Sequence, residues 1–115
     1  MSNVKSIART ASRPARDRLW RQLRDITGHD VIEVRVTPAA YGEGTVWCAM
    51  AIDSNRREIP LPGSTKEVAG LIRRAFVDAD WHRAHDYDVT TGALTEHAIA
   101  MPGCLLGDAT RRGRC

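Results

Sequence analysis

The chain has 115 residues, of which 43% are apolar, and a formal net charge of +3. This length suits a single domain with one hydrophobic core. No apolar run approaches the roughly 20 residues that cross a bilayer, and the N-terminus lacks the apolar segment of a secretory signal, so we expect no membrane partner. Three widely spaced cysteines (Cys48, Cys104 and Cys115) argue against a disulfide scaffold and for a cytoplasmic location.

The charges are unevenly distributed along the chain. Residues 1–24 hold seven basic residues against Asp17, and residues 108–115 hold three against Asp108. The segment between them holds seven basic and twelve acidic residues. A polyanionic partner should therefore meet the ends of the chain first.

The chain divides by composition into three parts. Residues 1–12 are polar and aperiodic, which predicts a flexible basic arm. Residues 13–101 are predicted to form one α+β domain, and residues 102–115 an irregular basic tail. A first helix should begin near Pro14 and end at Gly28. Its buried side is predicted to hold Leu19, Trp20, Leu23 and Ile26.

Three strands are expected next. Residues 31–36 alternate between apolar and polar, and residues 45–52 are apolar on both sides, as in a central strand that buries Cys48. Pro60 cannot donate to a ladder, so the third strand, within residues 57–62, should lie at an edge of the sheet. Together they predict an antiparallel meander.

The stretch "PGSTKEVAGLIRRAF" predicts a second helix beginning at Thr65. Ser64 and Glu67 have the spacing of a capping box. Lys66, Arg73 and Arg74 should lie outside the buried stripe, which is predicted to consist of Val68, Leu71, Ile72, Ala75 and Phe76.

Residues 87–100 are expected to form a hairpin that turns at Thr91 and Gly92. The predicted fold class is therefore α+β. It consists of a three-stranded antiparallel meander with two helices on one face (α-β-β-β-α) and a C-terminal β-hairpin.

This order resembles that of double-stranded-RNA-binding domains, in which the second helix opens with a basic cluster after a glycine-bearing turn. Here only Lys66 matches the several lysines that this family has at the helix opening. Residues 45–76 are also similar to the small arm-binding domains of phage-type integrases, whose three strands read DNA. Both resemblances imply nucleic-acid binding, but neither is specific enough to transfer residue roles or to assign a family.

Two kinds of chemistry have candidate residues. A metal site would draw on scattered ligands, but the close cysteine pairs of structural zinc sites are absent; the residues concerned are His82, His85, Asp86, Asp88, His97 and Cys104. Cys104 could be a nucleophile if His85 or His97 lay beside it. No phosphate-binding loop or dinucleotide motif is present. We therefore expect a non-catalytic protein without metal or cofactor.

Nucleic-acid binding has the strongest pattern, and the composition favours a bacterial regulator, for example from a mobile element or phage. Arginine suits phosphate because its planar fork can donate two hydrogen bonds. The predicted contacts, in the N-terminal arm and on the two helices, are Arg13, Arg16, Arg18, Arg21, Arg24, Lys66, Arg73 and Arg74. Trp47 could add a stacking platform with Arg35 if its sheet face were exposed; alternatively, Trp81 or the hairpin covers Trp47.

The alternative is a protein-interaction or adaptor module. Asp78, Asp80, Asp86 and Asp88 would repel nucleic acid, which favours a protein partner or a homodimer. The C-terminal hairpin is the expected pairing surface, because Pro60 protects the other edge.

Overall fold

A computed structural model describes residues 7–97 of the chain. It contains two helices and six strands. In chain order the elements are β1 (Ile7–Thr10), α1 (Arg13–Thr27), β2 (Val31–Tyr41), β3 (Gly44–Asp53), β4 (Glu58–Ile59), α2 (Thr65–Ala75), β5 (His85–Asp88) and β6 (Ala93–Glu96).

The strands form a single antiparallel sheet in the order β1-β6-β5-β2-β3-β4. Both helices pack on one face, and their apolar side chains meet those of the sheet in one core. The predicted α+β class is confirmed. The strand before Pro60 is β4, which lies at the edge of the sheet as predicted.

Helix α1 is capped at both ends. The Ser12 side chain accepts a hydrogen bond from the Ala15 backbone N–H, and Gly28 adopts a positive φ of 74° while its N–H donates to the Arg24 carbonyl. Leu19 and Leu23 are buried. The prediction of a buried Trp20 is wrong, because Trp20 follows Leu19 by one position and therefore turns about 100° away from it around the helix. Its side chain is 43% exposed.

Helix α2 begins at Thr65 as predicted, but without the capping box. The Ser64 side chain makes no cap hydrogen bond. The Thr65 hydroxyl instead accepts from the Ala49 N–H at 2.8 Å and donates to the Ala49 carbonyl at 3.1 Å, which ties the start of the helix to β3. In the predicted stripe Ala75 is exposed, Leu71 is only partly buried, and Ala69 is buried in addition.

The central strands alternate between the two faces of the sheet. Val34, Val36 and Ala51 are fully buried beneath the helices. Residues between them point to the opposite face, which neither helix covers and which we call the open face. Cys48 lies on the open face and is exposed, so the expectation of a buried thiol is wrong.

The N-terminal strand β1 lies inside the segment predicted as a flexible arm. Ile7 pairs with Thr95, and Thr10 with Ala93, so this edge strand is hydrogen-bonded to β6. The arm prediction is therefore wrong for Ile7–Thr10. Residues 1–6 of that arm and the predicted tail at residues 102–115 lie outside the described residues.

The C-terminal hairpin is β5 and β6, and it turns where predicted. Gly92 has a φ of 81°, and its N–H donates to the Asp88 carbonyl at 2.7 Å. β5 also pairs with β2, and β6 with β1, so both outer edges of the hairpin are occupied. The expectation that this hairpin offers a free pairing edge is therefore wrong.

The β2–β3 hairpin extends beyond its neighbours. β5 pairs with β2 only at Glu33–Val36, and β4 pairs with β3 only at Ala51 and Ile52. Beyond these partners, residues 37–48 form a two-stranded ribbon that turns through the positive-φ residue Gly42. We call this segment the β-ribbon. It carries one charged residue, Glu43, and its Tyr41 side chain is 73% exposed.

Candidate functional site

The basic residues of the described chain are concentrated on the helices. Together α1 and α2 contain eight basic and three acidic residues, whereas the rest of residues 28–97 contains four basic and ten acidic ones. Five helical cations are exposed and belong to no ion pair within residues 7–97: Arg13, Arg18, Arg21, Lys66 and Arg74. We call the outer surface of the two helices the helix face.

A groove runs between the two helices on this face. It has a volume of about 180 Å³, and Arg18 of α1 and Arg74 of α2 line it from opposite sides. The polar side chain of Gln22 and the half-buried Leu71 complete much of its wall. The packing of α1 against α2 thus brings two predicted contacts together that are 56 positions apart in the sequence.

Three other predicted contacts are engaged within the protein. Arg16 donates to the Thr91 carbonyl at 3.0 Å and ties α1 to the β5–β6 turn. Arg24 pairs with Asp30, and its guanidinium lies 5.5 Å from the centre of the Trp20 ring. Arg73 stacks on Trp47, with 3.6 Å between the guanidinium carbon and the ring centre.

Trp47 and Arg35 lie on opposite faces of the sheet, so the predicted stacking platform does not form. Trp47 packs beneath α2, and its indole N–H donates to the Trp81 carbonyl at 2.7 Å. Arg35 is on the open face, where its Nε lies 2.8 Å from Asp86 Oδ1. The alternative expectation, that Trp47 is covered and joins the core, is correct in that Trp47 packs against the core, but Arg73 of α2 lies over its ring and Trp81 contributes a backbone carbonyl.

A second hollow on the helix face was missed by the sequence analysis. It has a volume of about 260 Å³ and lies where α2 meets the Trp81 loop; Gly70, Arg73, Arg74, Val77 and Trp81 line it. A glycine in the middle of an amphipathic helix is a signal of close packing that could have drawn attention to this place.

The acidic residues after α2 are paired locally. Arg9 Nε lies 3.1 Å from Asp78 Oδ1, and this hydrogen bond lowers the pKa of Asp78 below its ordinary value. Asp80 accepts from the His82 backbone N–H, which lowers the pKa of Asp80, and it lies 3.5 Å from Arg83. Both carboxylates therefore stay ionised at neutral pH beside cationic partners of their own.

The open face holds a trough of about 490 Å³. At its edge Asp86 joins Arg35 to His97, whose Nδ1 lies 2.9 Å from Asp86 Oδ2. Burial acts to raise the pKa of Asp88, but hydrogen bonds from Thr90 and Thr91 outweigh it and lower that pKa. Asp88 thus holds the β5–β6 turn.

The candidate metal ligands are dispersed. His82 is almost fully exposed, whereas His85 is buried against Trp81 with its Nδ1 3.0 Å from the Arg83 carbonyl. Within residues 7–97 no three His, Cys, Asp or Glu side chains are grouped so that they could hold a metal ion. Cys104, the proposed nucleophile and remaining ligand, lies outside the described residues.

Comparisons with protein-family models, with curated proteins and with solved structures gave no match to this chain. Neither of the two family resemblances noted in the sequence is therefore supported by them. Within the described part of the chain, both helices are too short or too polar to cross a membrane.

Proposed function

We propose that this protein binds nucleic acid, most favourably DNA, through its helix face, without catalysing a reaction on it. The observation that carries this proposal is the arrangement on two adjacent helices of cations that form no ion pair within residues 7–97, with Arg18 and Arg74 on opposite sides of one groove. A phosphate backbone along that groove could be contacted by both helices at once.

The acidic part of the chain does not oppose this arrangement. Asp78 and Asp80 have cationic partners, and Asp86 and Asp88 lie on the open face, on the other side of the sheet from the helices. The field of the molecule therefore differs between its two sides, and a polyanion is attracted to the helix face and repelled from the open face.

The test is a fluorescence-polarisation titration with duplex DNA, single-stranded DNA and duplex RNA, each at about 50 and 200 mM salt. We expect binding that weakens steeply with salt. A variant with Arg18, Arg21 and Arg74 each changed to Gln should bind more weakly, and its slope of log affinity against log salt should fall by about three.

The matched control loses the same charge elsewhere. Arg56, Arg57 and Arg83 are exposed residues outside the helices, and their triple change to Gln should leave most of the salt slope in place. Equal losses in both variants would mean that only net charge matters. The absence of binding to all three nucleic acids at the lower salt concentration would reject the proposal.

A second candidate function is protein–protein interaction or self-association, and the β-ribbon favours it. Apart from the β2–β3 ladder, the backbone of residues 37–41 and 44–47 pairs with no other strand of the described chain, and an exposed Tyr41 lies at the end of the ribbon. Such edges can pair with a strand of another chain. Sedimentation equilibrium of the protein and of Thr45→Pro tests this, because a proline in the ribbon would weaken a ribbon-mediated dimer and leave a monomer unchanged.

A further inference from the structure

Two neighbouring arginines of α2 line the hollow beside Trp81. They are Arg73 and Arg74, and neither belongs to an ion pair within residues 7–97. Neighbouring cations repel each other, and an anion bound between them offsets that repulsion by attracting both. One anion in the hollow could therefore be contacted by both arginines.

Arg73 is held in a fixed orientation. The central carbon of its guanidinium lies 3.6 Å from the centre of the Trp47 ring. The Trp47 indole is held in turn by its hydrogen bond to the Trp81 carbonyl. The Arg73 Nε is buried and has no hydrogen-bond partner among residues 7–97. A ligand that meets this guanidinium has little side-chain freedom left to remove, so binding costs less conformational entropy than at a free arginine.

Gly70 explains how Arg74 reaches the same place. An ideal Cβ on Gly70 would lie 3.0 Å from a terminal nitrogen of Arg74. A glycine inside a helix costs about 1 kcal/mol relative to alanine. In this helix the missing side chain leaves room for the Arg74 guanidinium to fold back over the helix, one turn from its own Cα.

We propose that this hollow is a phosphate-binding subsite in which Arg73 and Arg74 hold one phosphate group. The proposal rests on the proposed function, in which that group is a backbone phosphate of the nucleic acid. It goes further than that function because it separates the contact made by Arg73, whose orientation is fixed, from the contacts made by exposed, freely rotating cations. Charge alone is sufficient for Arg18 and Arg21, whereas Arg73 needs its planar fork.

The first test uses inorganic phosphate and the full chain. Arginine Nε–H signals are followed by ¹⁵N–¹H NMR while phosphate replaces chloride at constant ionic strength. The Arg73 Nε–H is buried, which protects it from exchange with solvent. We expect the Arg73 and Arg74 signals to shift in a saturable way and the Arg57 signal to stay in place, because Arg57 lies on the exposed β3–β4 turn.

Two variants separate the subsite from general attraction. Gly70→Ala keeps every charge but displaces the Arg74 guanidinium, and Arg73→Lys keeps the charge but removes the fork. Each should weaken phosphate binding at least about tenfold, as expected for loss of one charge-assisted hydrogen bond. The control Arg57→Lys should change nothing. Circular dichroism of each variant verifies that α2 is intact.

The outcomes distinguish this inference from the proposed function. Saturable shifts at Arg73 and Arg74 support the subsite even if no nucleic acid binds, in which case only the proposed function fails. If phosphate shifts these signals no more than chloride does, or if Gly70→Ala and Arg73→Lys bind as the wild type does, the subsite is rejected. It is then rejected even when the protein binds nucleic acid.

Discussion

Two aromatic residues of the protein interior, the partly buried Trp47 and the fully buried Tyr87, differ in how their polar atoms are satisfied. The Trp47 indole donates to the Trp81 carbonyl at 2.7 Å, whereas the Tyr87 hydroxyl is buried without a hydrogen-bond partner in the described structure. A buried polar atom stabilises the fold when it is paired and costs free energy when it is not. The same substitution, to phenylalanine, should therefore act in opposite directions at these two positions.

Tyr87→Phe is expected to leave the free energy of unfolding unchanged or to raise it by up to about 1 kcal/mol, because it removes an unsatisfied hydroxyl. Trp47→Phe should lower it by about 1–3 kcal/mol, because the Trp81 carbonyl loses its donor and the ring loses area against Arg73. Urea unfolding at neutral pH measures both. A large loss in Tyr87→Phe would show that the hydroxyl is satisfied in solution.

Alkaline pH provides an independent measurement of Tyr87. Burial raises the pKa of Tyr87 to about 12, with Arg16 opposing and Asp88 reinforcing the rise. In the unfolded chain a tyrosine titrates near pH 10. Ionisation of Tyr87 therefore leaves the free energy of unfolding unchanged below about pH 10 and lowers it as the pH rises towards 12, because the unfolded chain loses this proton first. In Tyr87→Phe this part of the loss should be missing. Parallel stability curves for the two proteins above pH 10 would contradict the assignment.

At the scale of elements, α2 is attached to the sheet by Thr65 rather than capped by Ser64. The Thr65 hydroxyl satisfies both backbone groups of Ala49, a residue that lies on β3 beyond the two positions where β4 pairs with it. One side chain thus fixes the start of the helix and closes part of a strand edge. The capping-box spacing in the sequence instead predicts that Ser64, the preceding residue, caps the helix.

Thr65→Val should therefore be the more damaging of two similar substitutions. It keeps the shape of the side chain but leaves the Ala49 N–H and carbonyl unpaired, so we expect a loss of about 1–3 kcal/mol in the free energy of unfolding. Ser64→Ala removes a side chain that makes no cap hydrogen bond and should cost less than about 0.5 kcal/mol. Equal costs, or the reverse order, in urea unfolding would contradict this account of the helix start.

The whole molecule is closed by contacts between residues far apart in the sequence. β1 pairs with β6 across about 85 positions, and Arg9 of β1 also reaches Asp78, to whose backbone carbonyl it donates at 2.7 Å. The segment that reads as an arm therefore covers one edge of the sheet. Without it, the outer backbone of β6 would be exposed to solvent and to other chains.

A chain that begins at Ser12 should accordingly be less stable and more prone to associate than the full chain. Truncation removes β1 and leaves an unpaired edge strand at β6. Urea unfolding and light scattering measure the two effects, and Thr10→Ala, a change at an exposed position that keeps the strand, is the control. An unchanged unfolding midpoint after truncation would show that β1 contributes nothing to the fold.

The sequence predicted what depends on local period and turn chemistry. The two helices, the Gly28 stop, the edge strand before Pro60 and the turn at Gly92 follow from such patterns. It did not predict β1, because four residues without alternation acquire their strand conformation only by pairing with β6. The cations could be assigned to the outer sides of the helices because helical period is a local property. The stacking of Arg73 on Trp47 could not be predicted, because it depends on the tertiary packing of α2 against β3.

The stacking of Arg73 on Trp47 also gives the protein an intrinsic fluorescent probe of the hollow beside Trp81. The emission of an indole depends on nearby charge, and a guanidinium lies over this ring. An anion that neutralises or displaces the Arg73 guanidinium would alter the fluorescence of Trp47. Trp20 and Trp81 are the other tryptophans of the chain and contribute to the total emission. Occupation of the hollow can thus be followed by the intrinsic fluorescence of unlabelled protein, in dilute solution and on a millisecond timescale.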